Sequence, residues 1–159
     1  MEREITLLLH FIGLGLIITT IAAGSILNAQ YRKSTDLQSK ATILRALRPV
    51  GLLSPVGMLI MLITGIGNMH SLGLGLLTLG WLTAKIIFFA IAVFSGVLFS
   101  IISRKRGSLI QQMVAGNAPG NADELLKGYD RQVGLSYFVM PLLLLIILYL
   151  SVLGRLGAQ

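Results

Sequence analysis

Four long apolar runs, separated by short stretches that carry almost all of the charge, constrain this chain more than any other feature. They lie near Ile5–Leu27, Val50–Met69, Leu79–Ser103 and Val133–Leu153. Each is long enough to cross a hydrocarbon layer of about 30 Å as a helix rising about 1.5 Å per residue. Inside a bilayer every backbone polar group must be satisfied within the protein, and a helix does this alone. The expected fold is therefore an all-α membrane protein: an up-down-up-down bundle of four transmembrane helices, near residues 5–30, 50–69, 79–112 and 122–154, with both termini outside. Four spans use most of the 159 residues, so a single four-helix domain over 1–159 is expected. Only 12% of residues are charged, where a soluble domain has about a quarter.

The first run reads as a retained helix rather than a signal peptide. Its leading Met1-Glu2-Arg3-Glu4 has two acids to one base, and the run exceeds an h-region of roughly 7–15 residues. Ten of the thirteen bases fall in the first and third connections. The first holds Arg32, Lys33, Lys40, Arg45 and Arg48; the third holds Arg104, Lys105, Arg106, Lys127 and Arg131. Met69–Thr78 between them has no charge. The positive-inside rule makes the basic side cytoplasmic, in a cell (inner or cytoplasmic) membrane. The net charge of +7 is then a matter of topology and of contact with anionic lipid heads, not of nucleic-acid binding. The expected partners are the bilayer, and further copies of the chain or a larger membrane complex.

Local signals refine this outline. Asp36–Leu47 reads as a short amphipathic turn, and Pro49 and Pro55 fall near the start of the second helix, where proline costs least. Ser71–Gly75 makes a tight apolar connection. Asn117-Ala118-Pro119-Gly120 ends the third helix, and Asn121 with Glu124 forms a capping-box pattern for the next. Pro141 predicts a kink in the fourth helix. Trp81 and Tyr149 suit an outer aromatic belt, and Tyr31 and Tyr137 the opposite interface.

Lys85 is the single charge within the apolar runs, and a lysine in a span is costly enough to mark a candidate site. On a helical wheel it shares a face with Trp81, Ala92, Gly96, Phe99, Ser100 and Ser103; Ile87, Ala90, Phe94, Val97, Leu98 and Ile101 lie opposite. Small residues mark helix contacts in membranes, so the Lys85 face points inward. The competing reading is a lysine that snorkels to the outer surface. His10 enters its helix from the same side at similar depth. Gly13, Thr20, Gly24 and Asn28 share its face, while Gly15, Thr19 and Ala23 mark another, so two facings are open. Neutral imidazole ligates metal ions or haem iron. His70, with Met69 beside it, offers a weaker copper(I)-type set with His10. Met58 and Met61 read as core filling. With no cysteine, thiolate metal sites and iron–sulfur clusters are excluded, and no carboxylate in the runs supplies a proton relay. No catalytic set stands out, and whether the protein is an enzyme stays open.

Four helices, an early His10, Gly80-Trp81-Leu82-Thr83-Ala84-Lys85 opening the third helix, and Pro141 followed by Leu142–Leu145 together resemble the HemJ/CopD superfamily. That group includes HemJ-type protoporphyrinogen oxidases and copper-resistance D-type membrane proteins. The resemblance implies haem b held by His10 and Lys85, and a redox or haem-related role. The chain departs from the oxidases at Thr83, where they have histidine, at Val139-Met140-Pro141, where they have Asn-Glu-x-Pro, and at Leu14–Thr20, which lacks their arginine. These departures favour a relative other than the oxidases. Two further expectations stand beside this one: a non-enzymatic accessory or scaffold subunit of a membrane complex, and a copper-handling protein using His10 and His70.

Overall fold

The computed structural model describes residues 2–71, 73 and 80–156. They form four helices: α1 (Glu2–Lys33), α2 (Leu37–Ser71), α3 (Gly80–Val114) and α4 (Ala122–Leu156). All four are long and apolar enough to span a membrane, and they pack as an antiparallel bundle. α1 packs along α2 and α3 along α4; the two hairpins meet each other less extensively, through α2 against α3 and α1 against α4. α1 and α3 thus stand on a diagonal.

α2 starts earlier than the sequence reading placed it. It is unbroken from Leu37, so Asp36–Leu47 is not a separate turn, and Pro49 and Pro55 lie inside the helix. Tertiary contact explains this: Ala41 and Leu44 are buried in a common core with Tyr31, Leu109, Ile110, Ala122 and Leu126. That burial offsets the backbone hydrogen bonds the two prolines cannot donate. α4 likewise continues through Pro141.

Asp36 caps α2. The backbone N–H of Ser39 donates to Asp36 Oδ2 at 2.8 Å. This bond holds the Asp36 carboxyl below the usual carboxylate range. A lowered pKa in the folded state contributes stability above the ordinary carboxylate pKa and loses it as pH falls through the folded value. Asp36→Ala is therefore expected to lower the thermal midpoint at about pH 7, and the gap to the parent protein to narrow at about pH 3. α3 ends in a Schellman turn. Gly116 takes φ +74°, Gly116 N–H donates to Met113 O and Asn117 N–H to Gln112 O. This places the helix end just before the expected Asn117–Gly120 break. Between Ser71 and Gly80 only Gly73 is described, so the tight turn expected over Ser71–Gly75 lies outside the described residues apart from Ser71 and Gly73.

A helix of 35 residues is about 52 Å long, some 20 Å more than a hydrocarbon core. The excess lies at the basic end, where the core built on Tyr31, Leu44, Leu109, Ile110 and Leu126 sits. There water drives apolar burial. Within the spans few residues are buried, because lipid tails are as apolar as leucine and contact depends on small residues. Gly13 and Gly57 mark a close crossing of α1 and α2: a Cβ on either would stand within 3 Å of the other's carbonyl oxygen. Gly24 lies against the Tyr137 ring and Gly154 against the Trp81 ring. On α3 the wheel holds: Ile87, Phe94, Val97, Leu98 and Ile101 are exposed, while Ala92 is buried. Ser100 departs from it and is exposed.

Candidate functional site

The inner face of α1 is the one bearing His10. Gly13, Ile17, Gly24, Asn28 and Tyr31 are buried along it, spaced by three, four or seven residues, whereas Gly15 and Thr19 are exposed. The choice between the two small-residue faces is made by α2, whose Gly57 admits Gly13.

One turn before that crossing, His10 Nδ1 lies 2.8 Å from Thr64 Oγ1 on α2. Thr64 is buried, and its hydroxyl donates to the Ile60 carbonyl at 2.6 Å. A hydroxyl has one proton. If Thr64 gives that proton to Ile60, its Oγ1 can only accept from His10, which would put the imidazole proton on Nδ1. His10 Nε2 then carries the lone pair. A hydrogen bond to one ring nitrogen fixes the ring and its tautomer and leaves the other nitrogen with its lone pair. Lys85, half-buried on α3, brings its charge within electrostatic reach of His10. The structure thus gathers His10, Thr64 and Lys85 at the charge-poor end of the bundle; Thr64 carried no sign of its role in the sequence. His70 is exposed in the last turn of α2. It stands about 9 Å beyond Thr64 and is rotated about 120° from it around the axis. Among the described residues no group of three or more His, Asp or Glu side chains is placed to hold a metal.

The apolar cavity deeper in the bundle, about 30 Å³ and lined by Met58, Met61, Ala92, Met140 and Ile147 among others, has room for little more than one water. Met58 and Met61 are packing residues there.

A second constellation lies at the basic end. Arg106, one of the charges expected to sit in solvated loops, is 1% exposed. Its guanidinium crosses the bundle diagonal from α3. Nη1 donates to Asn28 Oδ1 at 3.0 Å and to Asp130 Oδ1 at 3.3 Å. Its Cζ lies 4.4 Å from the centroid of the Tyr31 ring, a desolvated cation–π contact worth about 2 kcal/mol. Tyr31, expected in an interfacial aromatic belt, is instead 1% exposed, and its hydroxyl donates a long hydrogen bond to Asp130 Oδ2 at 3.5 Å. Belt residues need a water-facing edge; Tyr31 gives its polar tip to Asp130 and its face to Arg106. Arg106 Nε and Nη2 are buried without a hydrogen-bond partner. One arginine therefore ties α1, α3 and α4 together just beyond the spans.

Comparison with known protein families, curated proteins and solved structures finds no match to this chain.

Proposed function

We propose that the chain is a multi-pass protein of the cell membrane, basic loops in the cytoplasm and both termini outside, that holds haem b or a metal ion through His10 Nε2 near the outer surface. The observation that carries this reading is the pair of short contacts at Thr64 Oγ1, 2.6 Å to the Ile60 carbonyl and 2.8 Å to His10 Nδ1, which favours Thr64 as the acceptor and leaves Nε2 available to a ligand. Lys85 serves as a second ligand or as the cation for a propionate. Bound iron would supply one-electron or ligand-exchange chemistry; the protein's part is to fix the imidazole and place one cation beside it. Haem enters this reading through the resemblance of His10 and the Gly80–Lys85 stretch to HemJ-type proteins, and copper through the resemblance to the copper-resistance D-type members of the same group.

Protein purified in mild detergent and supplemented with haem is expected to show a Soret band that His10→Ala abolishes. Thr64→Val keeps the shape but removes the acceptor, and should weaken haem affinity by about 10–100-fold. A colourless preparation after supplementation overturns the haem reading. Copper uptake that depends on His10 and His70 would then favour copper handling. A colourless protein that co-purifies with a stoichiometric membrane partner would favour an accessory subunit.

A further inference from the structure

Beside the Arg106 cluster, α1 and α4 enclose an open groove of about 430 Å³ lined by Arg32, Asp130, Arg131 and Gly134. It lies where α1 leaves the apolar zone and α4 enters it, since Arg32 is in the last turn of α1 and the apolar run of α4 begins at Val133. This is the depth of lipid headgroups. Arg32 and Arg131 are exposed and supply two cations. Asp130 does not cancel them, because its carboxylate is already engaged by Arg106 and Tyr31. With Arg106 behind it the local balance is three positive charges to one negative. Gly134 leaves the wall open: a Cβ placed there meets nothing within 4 Å.

We propose that this groove is a binding site for the headgroup of an anionic phospholipid of the leaflet on the basic side. The two arginines bond the phosphate oxygens by charge-assisted hydrogen bonds, which a guanidinium forms in pairs. The polar substituent of the headgroup lies over Gly134, where any larger residue would intrude. This goes beyond general attraction of basic loops to the membrane, since it names a cleft with a shape requirement as well as a charge. It stands independently of the proposal for His10.

The test uses the full chain in a neutral maltoside detergent, with thermal unfolding followed after addition of phosphatidylglycerol, phosphatidylcholine or sodium phosphate. Phosphatidylglycerol is expected to raise the midpoint by several degrees, and the other two to leave it nearly unchanged. The shift should be largely lost in the Arg32→Gln/Arg131→Gln variant, whose exposed positions tolerate the change, and in Gly134→Leu, which keeps every charge but fills the cleft. Each variant is read against its own lipid-free midpoint, and if Gly134→Leu does not fold the arginine variant decides. An equal shift from phosphatidylcholine, an equal shift from inorganic phosphate, or a full phosphatidylglycerol shift in the arginine variant overturns the proposal.

Discussion

Asp130→Ala is expected to destabilise the protein by about 3 kcal/mol, the lower end of the range for breaking a buried ion pair from one side. The loss comes from Arg106 rather than from Asp130. Arg106 is 1% exposed, while the Asp130 side chain is 32% exposed. Without Asp130 the guanidinium stays charged and enclosed, with Asn28 Oδ1 as its one remaining acceptor and the Tyr31 ring beneath it. The Tyr31 hydroxyl loses its acceptor as well. Arg106→Met is expected to cost less. It removes the buried charge with its desolvation penalty, keeps an unbranched stem over Tyr31, and leaves Asp130 able to turn toward water. The order of the two variants is therefore the informative result, read by thermal unfolding in detergent and by proteolysis at the basic connections. If Arg106→Met proves equal to or worse than Asp130→Ala, the cluster is held by the arginine's hydrogen bonds and not by the need to compensate its charge.

The two ends of the bundle differ in how far the sequence reveals them. The spans are legible because composition alone forces them: four apolar runs of adequate length have one solution in a bilayer. The lipid face of α3 is legible because Ile87, Phe94, Val97 and Leu98 recur at helical spacing. Arg106 is not. Arg104, Lys105 and Arg106 are consecutive, so they point in three directions about 100° apart, and nothing local says which one turns inward. Its partners, Asn28 on α1 and Asp130 on α4, lie far away along the chain, and only the assembly of α1, α3 and α4 at the basic end brings the three together. One cue was present in Asn28, a polar residue continuing the same face as Gly13 and Gly24. Thr64 is silent for a different reason. A threonine in a span usually returns its proton to its own helix, as this one does to Ile60. Its second role as acceptor exists because His10 arrives from α1.

The fold and the His10 site meet at the Gly13–Gly57 crossing, and Gly57→Ala is expected to damage both. Alanine favours a helix over glycine by about 1 kcal/mol, so in isolation the change would stabilise α2. Here the new Cβ would stand 2.7 Å from the Gly13 carbonyl oxygen and 3.0 Å from Ile17 Cγ1. The nearer atom is backbone and has no rotamer to escape into, so α1 and α2 must separate. Overpacking of this kind costs about 1–3 kcal/mol, which outweighs the propensity gain over most of that range. The same separation acts on the 2.8 Å bond from His10 Nδ1 to Thr64 Oγ1, one turn from Gly13 on α1 and two turns from Gly57 on α2. Moving the helices apart by about half an ångström lengthens that bond past the usual range of about 2.7–3.2 Å and frees the imidazole to rotate. Gly57→Ala should therefore lower the unfolding midpoint and weaken haem or metal binding together, although it touches neither His10 nor Thr64. Gly15→Ala is the matched control: its Cβ meets nothing within 4 Å, it lies on the exposed face of α1, and it should leave ligand binding unchanged with stability equal or slightly raised. A Gly57→Ala protein that melts lower yet binds with parent affinity would mean that the crossing supports the bundle but does not position the histidine.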